Sequence, residues 1–367
     1  MDRIDIIAKF YNNCKKSYGT EVFREFAIIH EEVKYMMKYP NIPYTKVIII
    51  DLTISKPKYG EAIAAMQTCN VLNTLGYQVK LYIFKRTEMD GHVFETMIKR
   101  DKVMKNAYRD IERIAEILIK SQGMKYKVVE DKELQKTLLE NKAEQLLFSS
   151  TIKASNSCTQ KDEYAEMDNF FRLNQELLSM LFAQYCDYLK INGHRYLVGD
   201  ILKEQSPKET KEDIITTNFR FNIVRPNKNG QLATIINAAE YFYKKLSYRT
   251  MVVTCRDGQN YLKKHCQGLN SIIFGSPGNF IEESKLMMNS AFYHQVQGGG
   301  IGVWPLFSTS FPYTVLCDPG CLIPYKRRSL FAIGDTDKQV FLSSRECTIK
   351  EYWKNTKNMA IEVLSGK

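Results

Sequence analysis

Short unbroken runs of apolar residues alternate with segments of helical periodicity along most of the chain. The run over 45–52 (TKVIIIDL) is apolar on both faces, which is typical of a buried strand in a parallel sheet. Apolar residues recur at helical spacing over 61–76, and the glycine at the end of that segment supplies a helix stop. A further apolar run, 77–84, follows. Together these three segments predict one β-α-β unit.

The middle of the chain is predominantly helical by the same criterion. Helices are predicted over 101–121 and 131–146, with a short strand, YKVVE (126–130), between them. The segment 163–190 is the strongest helix predicted in this part of the chain. The polar stretch after it, 192–213, is predicted to be a connection.

A second alternation of strands and helices begins near residue 219. Apolar residues recur at helical spacing over 231–246 and predict a helix there. Because short helices separate the strands, right-handed crossovers should join them into a second parallel sheet. The predicted strands of this half are FNIV (221–224), MVVTC (251–255), SIIF (271–274) and AFYHQV (291–296).

Length and composition predict the domain organisation. A chain of 367 residues has room for about two domains. The composition shifts near 203–215, which marks a boundary. We therefore predict an N-terminal helical lead at 1–44, an N-terminal Rossmann-like domain with a helical insertion at 45–210, and a C-terminal Rossmann-like domain at 211–367. The last of these ends in a predicted helix, TIKEYWKNTKNMAIEVL.

The charge balance narrows the function classes only slightly. Lysine and arginine number 52 against 41 aspartate and glutamate, a formal net charge of +11. This excess suits nucleic acid, an anionic membrane surface or phosphorylated ligands. The lysines are spread along predicted helix faces and form no dense basic block, so nucleic-acid binding is kept only as an alternative.

Cysteine usage and hydropathy predict the compartment. The nine cysteines include no CxxC pair, which favours a reducing compartment and no zinc site. No run approaches the ~20 apolar residues of a membrane span, and the N-terminus has no signal-peptide pattern. We predict a cytoplasmic protein, compatible with peripheral contact at the inner membrane face.

Unusual residues collect in the loops after the strands of the second half. In open parallel sheets, ligands bind outside the carboxyl ends of the strands. Arginine forks and close glycine backbones at such an edge suit a diphosphate, and a following helix start adds its positive dipole. The predicted binding residues are Arg225, Lys228, Arg256, Gly275, Gln297, Gly298, Gly299, Gly300, Ser308, Thr309 and Ser310.

These residues carry a resemblance to a known superfamily. The loop NIVRPN and the segment FYHQVQGGGIGVWPLFSTSFPY resemble the nucleotide-binding domain of GT-B-fold glycosyltransferases, and YGEAIAAMQTCNVLNTLGYQVKLY resembles the opening β-α-β unit of such enzymes. The resemblance covers roughly 45–86 and 219–320. It implies an α/β fold in which two Rossmann-like parallel-sheet domains face a cleft.

The resemblance also implies a reaction. A sugar would pass from a nucleoside-diphosphate sugar to a glycan or lipid-linked acceptor, with no cofactor and no metal. Arg225, with Lys228 and Arg256, would stabilise the leaving diphosphate. The base would be Glu61 or Asp51. The chain lacks the Glu-x7-Glu pattern of many retaining members, which favours inversion, and Ile223 stands where some fucosyltransferase-like members have histidine.

Several alternatives remain open from sequence. Glu61 could complement a helix N-terminus, and Arg256 could pair with Asp257. His294 lies in a predicted apolar strand and is expected to be a hydrogen-bonded core residue. The pattern GDTDK (334–338) resembles a metal-binding Asp-x-Asp but lies in a predicted turn.

Rival functions are also open. A sugar-nucleotide epimerase or hydrolase of the same fold would use the same donor pocket. A non-enzymatic nucleic-acid binder would show affinity that falls steeply with salt. A dinucleotide-dependent oxidoreductase is disfavoured because no GxGxxG follows the first strand of either half.

Overall fold

A computed structural model describes most of the regular elements of the chain. The described residues fall into two compact units, Met1–Val198 and Gly199–Lys367, each with its own sheet. The predicted boundary at 210 differs from this division, and the predicted helix over 163–190 lies outside the described residues. The structure describes residues 31–32, 35–36, 38–39, 45–51, 59–85, 101–130, 133–140, 145–148, 197–206, 213–219, 228–276, 279–296, 300–317, 337–343 and 347–365.

The first unit contains a four-stranded parallel sheet. Its strand order is β3-β2-β1-β4, and β1 pairs with β2 on one side and β4 on the other. The predicted β-α-β unit is therefore confirmed. The elements are β1 (Thr45–Asp51), α1 (Tyr59–Thr74), β2 (Gln78–Lys85), α2 (Asp101–Leu118), β3 (Lys125–Glu130), α3 (Leu134–Glu140) and β4 (Gln145–Phe148).

One prediction for this unit is wrong. The helix expected over 131–146 ends at Glu140, and its last residues belong to β4 instead. The run QLLF is short and apolar, and periodicity alone does not separate such a run from a helix. Pairing with the central strand β1 decides its conformation.

The end of α1 follows the predicted glycine stop. Gly76 has φ 98°, in the left-handed region, and its N–H donates to Asn73 O at 3.1 Å. The N–H of Tyr77 donates to Leu72 O, also at 3.1 Å. This pair of bonds is the Schellman arrangement, which a glycine allows without strain.

The second unit contains a six-stranded parallel sheet of order β10-β9-β8-β5-β6-β7. From β5 the chain first moves outward to β6 and β7, then returns to β8 and moves outward on the other side. This is the doubly wound order of Rossmann folds, with its switch point between β5 and β8. The elements are α4 (Val198–Glu204), β5 (Ile214–Asn218), α5 (Lys228–Leu246), β6 (Arg249–Val253), α6 (Arg256–His265), β7 (Ile272–Phe274), α7 (Phe280–Met288), β8 (Phe292–Val296), a 3₁₀ turn (Gly300–Gly302), α8 (Val303–Leu306), β9 (Tyr313–Cys317), β10 (Gln339–Ser343) and α9 (Ile349–Ser365).

The central strand β5 lies in a segment for which no strand was predicted. The predicted strand at 221–224 falls outside the described residues, whereas β5 precedes it in the chain. Thr216 and Thr217 follow only two apolar residues in β5 and are both buried, and the strand pairs with β6 and β8 on its two sides. Tertiary pairing thus overrides the weak local pattern.

The terminal helix α9 is confirmed and packs within the second unit. Its start is a capping box: Thr348 N–H donates to Glu351 Oε2 at 2.8 Å, and Glu351 N–H donates to Thr348 Oγ1 at 3.2 Å. Met359 and Leu364 of α9 join a buried cluster with Phe242 of α5. Both helices therefore cover the same part of the core.

A tyrosine of α9 enters the ladder between β8 and β9. Tyr293 N–H donates to Pro312 O at 3.1 Å, and the parallel register would next bring Gln295 N–H to Thr314 O. The Tyr352 hydroxyl contacts both of those groups: it accepts from Gln295 N–H at 3.0 Å and donates to Thr314 O at 3.0 Å. The side chain thus bridges the two strands.

Candidate functional site at the carboxyl edge of the second sheet

The switch point of the second sheet defines the candidate site. β5 and β8 are neighbours, and the chain leaves their carboxyl ends in opposite directions. The 19-residue helix α5 follows β5, and α6 follows β6. The first N–H groups of such helices lack partners within the helix and carry a positive dipole, so they favour an anion at this edge.

Two predicted cations begin these helices. Lys228 is the first residue of α5, and Arg256 is the first residue of α6. Both helices start from carboxyl ends of adjacent strands, so the fold brings the two positions to one edge. The Arg256 side chain is exposed, and within the described part of the chain it forms no ion pair with Asp257.

Other predicted residues are only partly described. Arg225, Gln297, Gly298 and Gly299 lie outside the described residues, as does the Lys228 side chain. Gly300 opens the 3₁₀ turn after β8, so its backbone follows the switch point. Their predicted roles stay predictions.

Gly275 lies at the same edge, directly after β7, but its backbone groups are engaged. Its N–H donates to Val252 O at 3.1 Å, and its carbonyl accepts from Gln259 Nε2 at 2.6 Å. A Cβ at this position would lie 2.6 Å from Oε1 of Glu283. Close packing against that carboxyl is thus a sufficient reason for glycine.

Ser308, Thr309 and Ser310 lie at the other end of the sheet. They precede the first residue of β9, and Gln339, the first residue of β10, donates its Nε2 to Ser308 O at 3.0 Å. The structure therefore does not bring these three residues to the edge that holds Gly275. A loop between parallel strands spans both ends of the sheet, and sequence does not show where each residue lies.

The hydroxyls of this loop have a partner that was not predicted. Ser308 Oγ donates to Asp200 Oδ1 at 2.5 Å, and Thr309 Oγ1 donates to Asp200 Oδ2 at 3.0 Å. The Thr309 N–H also donates to Asp200 Oδ2, at 3.1 Å. The carboxylate of α4 thereby fixes the turn before β9.

Glu283 is the most unusual group near the carboxyl edge. Its side chain belongs to α7 and is buried, with 4% of the residue exposed. Oε1 has no hydrogen-bond partner among the described residues. Burial raises the pKa of Glu283 to about 8, so the carboxyl is predominantly neutral at pH 7. Glu283 was not among the residues predicted from sequence. Its neighbours Ile281 and Ser284 are also buried in α7, so it lies on the inner face of that helix.

His294 is a core residue, as predicted. It is buried, with Nδ1 at 3.3 Å from Thr217 Oγ1. Its ring lies between Phe242 of α5 and Trp353 of α9, with centroid distances of 5.6 and 5.1 Å. Burial lowers the pKa of His294 to about 3, which keeps the imidazole neutral.

The two predicted bases lie at the carboxyl edge of the first sheet. Asp51 is the last residue of β1, and Glu61 is the third residue of α1. Their side chains lie outside the described part of the structure. In the same unit the structure adds a pair that sequence did not suggest: Tyr59 Oη donates to Asp110 Oδ2 at 3.0 Å. Asp110 is buried, and desolvation raises the pKa of its carboxyl.

Neither a cluster of metal ligands nor a membrane-spanning helix occurs among the described residues. Within them, no group of three or more His, Cys, Asp or Glu is placed to hold a metal ion. Nor does that part of the chain contain a helix with the length and apolar character needed to span a membrane. Of the GDTDK pattern, only Asp337 and Lys338 are described.

Comparison with known proteins finds similarity in structure only. No family model and no curated protein matches the chain. It is similar to E. coli heptosyltransferase WaaC with ADP (10% identity, 86% of this chain and 99% of that chain, TM-score 0.47). It is also similar to the glycosyl transferase family 9 structure from Veillonella parvula DSM 2008 (10% identity, 89% and 98%, TM-score 0.46). A third is the sialyltransferase from Photobacterium damsela (12% identity, 82% and 82%, TM-score 0.31).

Proposed function

We propose that the protein is a glycosyltransferase whose C-terminal unit binds the diphosphate of a nucleoside-diphosphate sugar. The observation that carries the proposal is the strand order of the second sheet. Its switch point lies between β5 and β8, and the next helix after β5 in the chain is the long α5, which begins with Lys228. Open α/β sheets bind their ligands at such a point.

The chemistry of the edge suits the leaving group. When the bond between sugar and diphosphate breaks, negative charge accumulates on the diphosphate. The helix starts at Lys228 and Arg256 would offer backbone N–H groups to that charge, and the two side chains would add positive charge. Arg225, between β5 and α5 in the chain, would add a bidentate donor. This set of charges supports transfer without a metal.

The acceptor side is assigned to the first unit. Asp51 and Glu61 lie at the carboxyl edge of its sheet, where either carboxylate could remove the proton from an acceptor hydroxyl. Attack from that side would invert the configuration at the sugar. The proposal requires the two units to face one cleft and the acceptor to be a glycan or a lipid-linked sugar at the inner membrane face.

A thermal-shift panel tests the donor site. We expect one of UDP, GDP or CDP, or its sugar, to stabilise the wild type, by about 2.7 kcal/mol at a concentration of 100 times Kd. Arg225→Ala and Lys228→Ala should lose most of this shift. Lys354→Ala, which removes an exposed lysine of α9, is the matched control. Failure of every nucleotide to stabilise the wild type would contradict the proposal.

Two further measurements separate the rival functions. Release of free sugar from the bound donor when no acceptor is present would favour the hydrolase or epimerase. Binding of nucleic acid that weakens steeply with salt, without any preference for nucleoside diphosphates, would favour the basic binder.

A further inference from the structure

A buried carboxyl without a partner lies beside the proposed donor site. Glu283 Oε1 has no hydrogen-bond partner among the described residues, and a Cβ on Gly275 would lie 2.6 Å from it. Gly275 directly follows β7 at the carboxyl edge of the sheet. An unsatisfied buried acceptor costs free energy, about 1–3 kcal/mol. Such a group is expected to find its partner in a bound state.

The distance of Glu283 from the switch point suits the base of a nucleotide rather than its diphosphate. β7 is two strands away from β5, which corresponds to roughly 10 Å along the sheet edge at about 4.8 Å per strand. A diphosphate at the switch point therefore lies too far away to touch Glu283. A nucleoside that extends from it across β6 would bring its base to the end of β7.

The start of α7 lacks a side-chain cap, because its N-cap residue, Asn279, makes no capping bond. Glu283 belongs to the first turn of this nine-residue helix, and its own N–H donates to Asn279 O at 3.0 Å. The helix start and the unpartnered carboxyl thus occur together at one end of the sheet.

We propose that Glu283 binds the nucleobase of the donor, with its carboxyl as both hydrogen-bond donor and acceptor to adjacent polar atoms on the base edge. This inference rests on the proposed function. A carboxylic acid offers one O–H and one carbonyl oxygen side by side. Each common base presents a neighbouring acceptor and N–H donor that such a pair can meet.

The protonation of Glu283 agrees with this role. Burial raises its pKa to about 8, so the donor hydrogen is present at neutral pH. The charged and titratable side chains on the two helices are Arg256, Asp257, Lys263, Lys264 and His265 of α6 and Glu282 with Lys285 of α7. Glu282 and Lys285 pair with each other at 3.5 Å. Desolvation, rather than any of these charges, causes the shift.

Calorimetric titration of wild type, Glu283→Gln and Glu283→Leu tests the inference. The ligands are UDP, GDP, CDP, ADP and inorganic pyrophosphate, at about pH 6.5 and about pH 8.5. Glutamine keeps a donor and an acceptor but cannot ionise. For the preferred nucleotide, the ratio of Glu283→Gln to wild-type affinity should be close to unity at the lower pH. It should rise about fourfold at the higher pH, where ionisation at a pKa of about 8 removes the wild-type donor.

The leucine variant isolates the hydrogen bonds. Glu283→Leu should lower nucleotide affinity about tenfold. Its affinity for pyrophosphate should equal that of the wild type, which also shows that the variant folds. Equal nucleotide affinities for all three proteins at both pH values would overturn the inference, as would a matching loss for pyrophosphate. If the wild type binds neither pyrophosphate nor any nucleotide, the proposed function fails first and this inference with it.

Discussion

The carboxyl of Glu283 fills the space that a side chain at Gly275 would need. An ideal Cβ on Gly275 would lie 2.6 Å from Oε1, closer than packed atoms allow. The two residues come from the carboxyl end of β7 and the first turn of α7. A glycine at position 275 thus leaves room for the buried carboxyl of Glu283.

A double-mutant cycle should expose this contact. Gly275→Ala should destabilise the fold by about 1–3 kcal/mol, because the added methyl must displace a buried carboxyl. In a Glu283→Ala background the same change should cost much less, since the obstructing group is gone. Urea unfolding of the four proteins measures the coupling. Strict additivity would show that Glu283 is not what limits position 275.

Glu283 should also shape the dependence of stability on pH. Its folded pKa of about 8 lies above its ordinary value of 4.5, so the folded state binds the proton more tightly. The resulting stabilisation is fully present below pH 4.5 and is lost as the pH rises through 8. Glu283→Gln should flatten this decline in the free energy of unfolding. An unchanged profile between those limits would show that the carboxyl ionises freely in the fold.

His294 should act in the opposite direction. Its folded pKa of about 3 lies below its ordinary value of 6.5, so the unfolded chain binds the proton more tightly. Stability is therefore fully retained above pH 6.5 and is lost as the pH falls toward 3. Denaturant titrations of His294→Leu over that window should show a weaker loss in acid than the wild type. A loss as steep as in the wild type would mean that other groups cause the acid sensitivity.

The strand bridge made by Tyr352 gives a further test. Its hydroxyl satisfies Gln295 N–H and Thr314 O, both buried in the sheet. Tyr352→Phe should therefore cost about 0.5–1.5 kcal/mol, the usual net contribution of a hydrogen bond. Tyr243→Phe, at an exposed tyrosine of α5, should be close to neutral. Equal unfolding midpoints for both variants would show that the pairing of β8 with β9 does not depend on the hydroxyl.

Local patterns sufficed for some elements and failed for others. The β-α-β unit and the glycine stop at Gly76 follow from an apolar run and from one residue with a positive φ. β5 and β4 were missed because their conformations are set by neighbours in the sheet rather than by their own sequences. Periodicity describes one segment at a time and cannot supply such pairings.

The residues of the candidate functional site could likewise be predicted from sequence only in part. The rule that functional loops succeed parallel strands singled out Lys228 and Arg256, but both were expected in loops, whereas they are the first residues of α5 and α6. The location of Ser308 at the amino end of β9 did not follow from sequence, because the loop before it crosses the whole sheet. Glu282 and Glu283 are identical in sequence terms, yet only the second is buried. The two side chains differ in exposure because Glu283 lies on the buried face of α7 and Glu282 does not.

A crystal structure of the protein with a bound nucleoside diphosphate would show directly where the diphosphate binds. We expect its density at the switch point of the second sheet, with oxygens about 2.7–3.2 Å from the first N–H groups of α5. The base should lie toward the end of β7. Density for the diphosphate at the amino ends of the strands, beside Ser308 and Asp200, would contradict the account.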